Sequence, residues 1–221
     1  MTATNSEARK RILGRIRKGL GRQELTEDQL QALRKRDESP RTATQPRQAG
    51  SPLARFCRNL EASGGSFERV DSEEAAVSRI VNLKNLEYPE GKIASAPALS
   101  QLPWPEDLDI QFGSVSSEVE ICVNQGLCAI AETGSVVLAS DPTTPTLLNF
   151  LGETQVVLVS GSRLVEYLEE GWAMIRHLEH VPRAVNLVSG PSKTADVEQT
   201  LQIGAHGPCR FHVLIVEADL Q

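Results

Sequence analysis

The sequence predicts an α/β fold: a mostly parallel, Rossmann-like sheet flanked by helices, with a β-hairpin near residues 126–139 and a basic helical arm at the amino terminus. Three observations predict it. From Leu53 onward, helix-like blocks alternate with strand-like blocks, the pattern of an α/β layer domain. Residues 126–131 and 135–139 are almost wholly apolar, as strands covered on both faces are. Residues 6–20 instead place Ile12, Leu13, Ile16 and Leu20 on one helical face, with Arg and Lys on the rest.

The elements follow in order. After that first amphipathic helix, a second is expected from Thr26, because Thr26 and Gln29 have capping-box spacing ahead of Leu30 and Leu33. Residues 37–52 contain three prolines and almost nothing to bury, and read as a mobile linker. The chain thus divides into a basic helical arm (1–36), a linker (37–52) and an α/β domain (53–221). In the domain, a helix over 53–60 stops at Gly64 and Gly65, and a strand follows at 66–70. Asp71, with Glu74 three residues on, caps a helix through Leu83. A short strand at 92–95 precedes a loop or short helix over 97–105. The strongest β signal spans 120–140, where Thr133 and Gly134 can make a tight turn because glycine accepts positive φ. Glu132 sits at the bend of the resulting hairpin. A helix begun by Pro142 and Pro145 runs through Leu151, then come a strand at 155–160, a helix from 162 to about 180, a strand at 184–189, a helix at 195–201 and a closing strand at 211–216. No internal repeat is visible.

Composition narrows the function classes. With 221 residues, 40% hydrophobic and 24% charged, the chain suits one globular domain with an arm, and excludes wholesale disorder or a coiled-coil rod. Only 4% of residues are aromatic, so aliphatic packing must hold the core. No apolar stretch reaches the 18 residues of a membrane span, and no leader pattern is evident, so a soluble cytoplasmic protein is expected. The net charge of −6 is uneven: residues 1–58 carry 14 Lys+Arg against 6 Asp+Glu, whereas residues 59–221 carry 9 against 23. A nucleic-acid protein needs a basic folded surface, and here the folded part is acidic, which argues against DNA or RNA. The basic arm reads as a solvated helix or one that docks on an acidic neighbour. Cys57, Cys122, Cys128 and Cys209 are too scattered for a zinc ribbon or a disulfide framework. His177 and His180 lack an evident third ligand and read as surface histidines, so no metal site is assigned.

Two segments place unusual residues where packing alone does not ask for them. In Ala131-Glu132-Thr133-Gly134-Ser135, a carboxylate lies between hydroxyls at the edge of apolar strands. Partial desolvation there raises a carboxyl toward general acid/base range, or suits it to attack an activated acyl group. The plain alternative is a solvated glutamate at a turn tip. Residues 188–196 form a strand, a glycine turn at Gly190 and Pro191, and an apparent helix start, with Ser192, Lys193 and Thr194 adding donors suited to phosphate or carboxylate. The P-loop spacing is missing, and Asp196 and Glu198 would repel a highly charged phosphate, so an ordinary capped helix is the alternative. A third segment, Gly204-Ala205-His206-Gly207-Pro208, presents a histidine in a glycine-rich loop, able to shuttle a proton or bind an anion near neutral pH, though a lone loop histidine is more often structural.

Together these residues resemble the lactate utilisation protein C family, whose members carry the LUD domain. The resemblance is carried by AETGS at 131–135, GPSKTADVE at 190–198 and GAHGP at 204–208, in that order. It implies a fold like that of glucosamine-6-phosphate deaminase, ribose-5-phosphate isomerase and CoA transferases, with a ligand cleft at the strands' carboxyl ends. It also implies a non-redox subunit for L-lactate oxidation to pyruvate, working with iron–sulfur partner proteins that hold the clusters, with no cofactor on this chain. The three motifs are expected to share one cleft for a small carboxylate or phosphorylated ligand. Lys193, backbone around Ser192, and His206 would hold the anion, with Thr133, Gly134, Ser135, Gly190, Pro191, Thr194 and Gly207 completing the site. Glu132 and Asp196 would position a proton or a water. Lys193 stands where the family often has Arg, which loses a two-pronged carboxylate grip. The other reading is a CoA-transferase-like or sugar-phosphate-isomerase-like enzyme using Glu132, which rests on fold analogy.

Overall fold

The structure is a computed structural model that describes residues 3–21, 25–38, 45–113, 119–195, 201–204, 206–217 and 220. The chain separates into two compact units, Met1–Pro46 and Arg47–Gln221. The first contains α1 (Ala3–Gly19) and α2 (Glu27–Glu38). At the start of α2 the capping box closes: Thr26 N–H donates to Gln29 Oε1 at 3.0 Å, and Gln29 N–H donates to Thr26 Oγ1 at 3.4 Å. The apolar stripe of α1 is exposed at Ile12, Leu13 and Ile16.

The second unit begins with α3 (Pro52–Ala62), whose start is set by Ser51 as N-cap and proline in the first turn, where a missing N–H costs nothing. It is followed by β1 (Ser66–Val70), α4 (Glu73–Glu87), β2 (Ile93–Ser95), β3 (Ile110–Phe112) and β4 (Ile121–Gln125). Next come β5 (Cys128–Ile130), β6 (Ser135–Ala139), β7 (Thr154–Ser160), β8 (Leu164–Val165) and α5 (Leu168–Arg176). The chain closes with β9 (Val185–Val188), β10 (Lys193–Ala195), β11 (Leu201–Ile203) and β12 (Arg210–Val216). Six strands form the main sheet in the order β1-β12-β7-β4-β2-β3, every neighbouring pair parallel.

Strand alternation explains why the central strands are apolar throughout. On β7, Val156 and Leu158 pack with Val77 and Ile80 of α4, while Val157 and Val159 pack on the opposite face with Phe56 and Leu60 of α3. The second face is shared by a smaller sheet, ordered β8-β5-β6-β9, which contributes Ala129, Val136 and Leu138. Its far side carries Cys128, Ile130 and Val137, covered by Leu168, Met174 and Ile175 of α5. The layers therefore run α4, main sheet, small sheet with α3, then α5.

The hairpin at β5 and β6 forms in register, Ala129 facing Val136, but it belongs to this second sheet rather than to the main one. Four further sequence expectations are corrected. The helix expected from residue 162 starts only at Leu168, because Leu164 and Val165 pair with Ala129 and Ile130 as β8. The helix expected from Pro142 is a single 3₁₀ turn, Thr146–Asn149. Ser72, not Asp71, caps α4, its Oγ accepting Ala75 N–H at 3.2 Å. Where a helix was expected over 195–201, residues 193–195 and 201–203 are antiparallel strands, Thr194 facing Gln202, and residues 196–200 lie outside those described.

Candidate functional site

The first two motifs meet at the carboxyl-terminal end of α3. The turn after β5 is pressed against that helix: Asn59 Nδ2 donates to both Ala131 O and Glu132 O at 3.0 Å. Gly134 has φ +65°, and a Cβ there would lie 2.4 Å from Leu60 N and 2.6 Å from the Asn59 carbonyl carbon. Glycine is thus required both by its backbone angle and by contact with a helix backbone. Gly190 approaches the same helix end, where a Cβ would meet Ser63 O at 2.7 Å. Ser135, buried, bonds Thr133 Oγ1 and Ser189 Oγ, each at 2.7 Å, and so ties the first motif to the second.

The second and third motifs are laced together by backbone. Ser192 N–H donates to Pro208 O, and Gly204 N–H donates to Ser192 O, both at 2.9 Å. Between these segments and the sheet lies a cavity of about 180 Å³. Gly190, Ser192, His206 and Gly207 line it, together with Pro208, Asn149 and Gln155. His206 is exposed and stands at its rim; Asn149 is buried and accepts Asn124 Nδ2 at 2.7 Å.

Gln155 is the least expected member. It is 1% exposed, and neither its Nε2 nor its Oε1 has a hydrogen-bond partner among the described residues. An unpaired buried amide group costs about 1–3 kcal/mol, so a side chain beside the cavity with both amide atoms unpaired is a cost that packing alone does not explain. The signal in the sequence is an amide directly before the apolar run VVLV of that strand, TQVVLVS. Asn149 gave no signal at all, since the turn bearing it reads as the start of a helix.

Other expected site residues face elsewhere. Glu132 Oε2 accepts the N–H of Leu168, the first residue of α5, at 3.2 Å, and Glu132 does not line the cavity. A carboxylate there satisfies a free helix N–H and complements the helix dipole. Lys193 Nζ donates to Ser63 O at 2.6 Å, placing its charge at the carboxyl end of α3. It too lies off the cavity, and the helix N-terminus expected beside it is the strand β10. Thr133 is exposed, Pro191 packs near Gly64, the Thr194 side chain is not described, and Asp196 lies outside the described residues. The expected single cleft holding all three motifs is therefore a cavity formed by two of them and buttressed by the third. Nor does it open at the strands' carboxyl ends: Gln155 and Phe211 are second residues of β7 and β12, which puts the cavity at their amino ends.

A sequence model of the LUD domain matches residues 108–216, which takes in all three motifs, the cavity and both central strands. Over that segment, just under half of its length, the chain is similar to the LUD domain. The lactate utilization protein C 1 of Bacillus mycoides is 37% identical to it over 113 residues, 49% of this chain and 47% of that one. The lactate utilization protein C of Anoxybacillus flavithermus is 34% identical over 87 residues, 39% of each chain. The chain thus aligns with less than half of the length of either relative. A crystal structure of a DUF162 family protein from Deinococcus radiodurans superposes on 77% of this chain and 99% of its own, with a TM-score of 0.60 at 16% identity. That likeness shows the fold alone. Its α/β architecture is the one the alternating blocks predicted.

Proposed function

We propose that this protein serves lactate utilisation by binding a small hydroxy or oxo acid in the Gln155 cavity. The names of its relatives support the metabolic setting, and the unpaired Gln155 amide carries the site. Nε2 is a donor suited to a carboxylate and Oε1 an acceptor suited to a hydroxyl, the two functions a 2-hydroxy acid presents on adjacent carbons. A volume of about 180 Å³ falls below the roughly 300–1,000 Å³ usual for drug-sized ligands, in keeping with a metabolite of few atoms. His206 at the rim would supply a further polar contact or exchange a proton with solvent.

In this reading the chain is a non-redox component, and electron transfer belongs to iron–sulfur partner proteins. Its own cysteines do not make a ligand set: Cys57, Cys122 and Cys128 belong to three different apolar clusters. Burial pushes the Cys122 and Cys128 thiols up to about 11, away from the thiolate form that a cluster binds.

The test is titration calorimetry of the full chain with L-lactate and with pyruvate, on the native protein and on Gln155→Leu. Leucine is close in size and removes two unpaired polar groups. The variant should be at least as stable as the native chain and bind the acid about 10-fold more weakly or worse. Equal affinity in the two proteins, or no binding of either acid by the native chain, would overturn the assignment.

A further inference from the structure

Apart from His206 at the rim, the Gln155 cavity is walled by groups that carry no charge. Among the described residues neither a carboxylate nor a lysine or arginine lines it, although residues 59–221 carry 23 Asp+Glu and 9 Lys+Arg. An anion that enters is therefore met by neutral donors, and the end that each amide turns inward decides what the cavity accepts.

For Asn149 that end follows from a chain of hydrogen bonds that starts at the main chain. β2 pairs with β4 only as far as Val123. Beyond it, Gln125 N–H donates to the Asn124 side chain at 2.9 Å. A backbone N–H can only donate, so the atom it meets is Oδ1, and the other end of the Asn124 amide is the NH2 group. That group donates to Asn149 at 2.7 Å, which makes the accepting atom Asn149 Oδ1 and leaves Nδ2 over. Asn149 Nδ2 has no hydrogen-bond partner among the described residues, yet it is not one of the unpaired polar atoms sealed from solvent. Asn149 itself is only 6% exposed and lines the cavity, so the spare donor opens there. Its neighbour Leu148 is buried with Ala94, Ala96 and Cys122, which anchors the turn.

We propose that Asn149 Nδ2 is the donor by which the cavity selects a carboxylate over the matching carboxamide, and that Asn124 is the positioning residue that keeps this donor turned inward. The inference rests on the reading that the cavity takes a small hydroxy or oxo acid. A carboxylate oxygen accepts from Nδ2 in a charge-assisted bond. A carboxamide of the same shape brings an NH2 group, which a second donor cannot satisfy. Asn149 cannot invert to suit it, because its own NH2 group would then face that of Asn124, which is 1% exposed and held by the main chain of β4.

The experiment is calorimetric titration of the full chain with L-lactate and with L-lactamide, on the native protein and on Asn149→Asp, Asn149→Ala, Asn124→Leu and Gln155→Leu. The native chain should prefer L-lactate by about 10-fold or more. Asn149→Asp keeps the shape but sets an oxygen in place of Nδ2, and should reverse the preference. Asn149→Ala brings in no charge and carries the test if the aspartate variant does not fold; it should weaken L-lactate more than L-lactamide. Asn124→Leu frees the Asn149 amide to turn, so the preference should shrink. L-lactate binding that is weakened by Gln155→Leu but unchanged by Asn149→Asp and Asn149→Ala would overturn this inference alone. A native chain that binds neither compound would overturn the reading beneath it as well. An undiminished preference in Asn124→Leu would overturn the positioning role. A circular dichroism melting curve for each variant would separate lost binding from lost fold.

Discussion

Replacing Gly134 with alanine should damage the domain more than its single methyl suggests. Two costs act together. At φ +65° an L-residue with a Cβ pays about 1–2 kcal/mol for the left-handed conformation. The new Cβ would also stand 2.4 Å from Leu60 N and 2.6 Å from the Asn59 carbonyl carbon, both main-chain atoms of α3 that cannot rotate aside. Forcing helix and turn apart resembles overpacking a core, typically about 1–3 kcal/mol, and stretches the two Asn59 hydrogen bonds at 3.0 Å. The sum is about 2–5 kcal/mol, a large share of the stability of an ordinary domain. Urea denaturation followed by circular dichroism, with Gly134→Ala beside the native chain, measures it. Gly14→Ala is the control, because that glycine lies within α1 with nothing inside 4 Å of a built Cβ, and alanine there should be neutral or favourable. A loss below about 1 kcal/mol for Gly134→Ala would refute the view that this motif is first a packing device against α3.

Two other predictions follow from side-chain geometry. Glu132→Gln keeps an acceptor for Leu168 N–H and removes only the charge at the start of α5, so it should cost about 0.3–1 kcal/mol in urea denaturation and leave acid binding in the Gln155 cavity unchanged; abolished binding would return Glu132 to the site. His212, whose Nδ1 lies 2.8 Å from Ser66 Oγ, is held below its ordinary value of 6.5 chiefly by burial, with the Glu68 charge opposing weakly. As pH falls through that ordinary value the unfolded chain takes up a proton that the folded chain resists, so stability should decline on the acid side. His212→Gln should flatten that decline between about pH 7 and pH 5, and an unchanged slope would count against it.

The fold was legible because its signals are local and repeated. The apolar runs of β6, β7 and β12, the Thr26–Gln29 box and the glycine stop after α3 each follow from a few neighbouring residues. What the sequence hid was pairing over distance. Nothing near Leu164 and Val165 says that they will join Ala129 and Ile130, and nothing near Lys193 says that its segment will lie against 201–203 instead of winding into a helix. The site divides in the same way. His206 and Ser192 could be singled out by their unusual turns, yet Gln155 acquires meaning only because the chain folds a cavity over it. Glu132 and Lys193 attract attention as charged residues in odd places, and the structure uses both to hold helix ends.

The position of α3 bears on where this protein can be cut. Residues 108–216 match the LUD domain model, yet Phe56 and Leu60 cover Val157 and Val159, and Asn59 secures the turn before β6. A fragment starting at residue 108 would also lose β1, beside β12, and β2, between β3 and β4. Expressed alone it would bare two aliphatic sheet faces and an open strand edge, the makings of an insoluble product. The smallest piece worth making begins ahead of Ser51, some sixty residues upstream of the boundary that sequence comparison suggests.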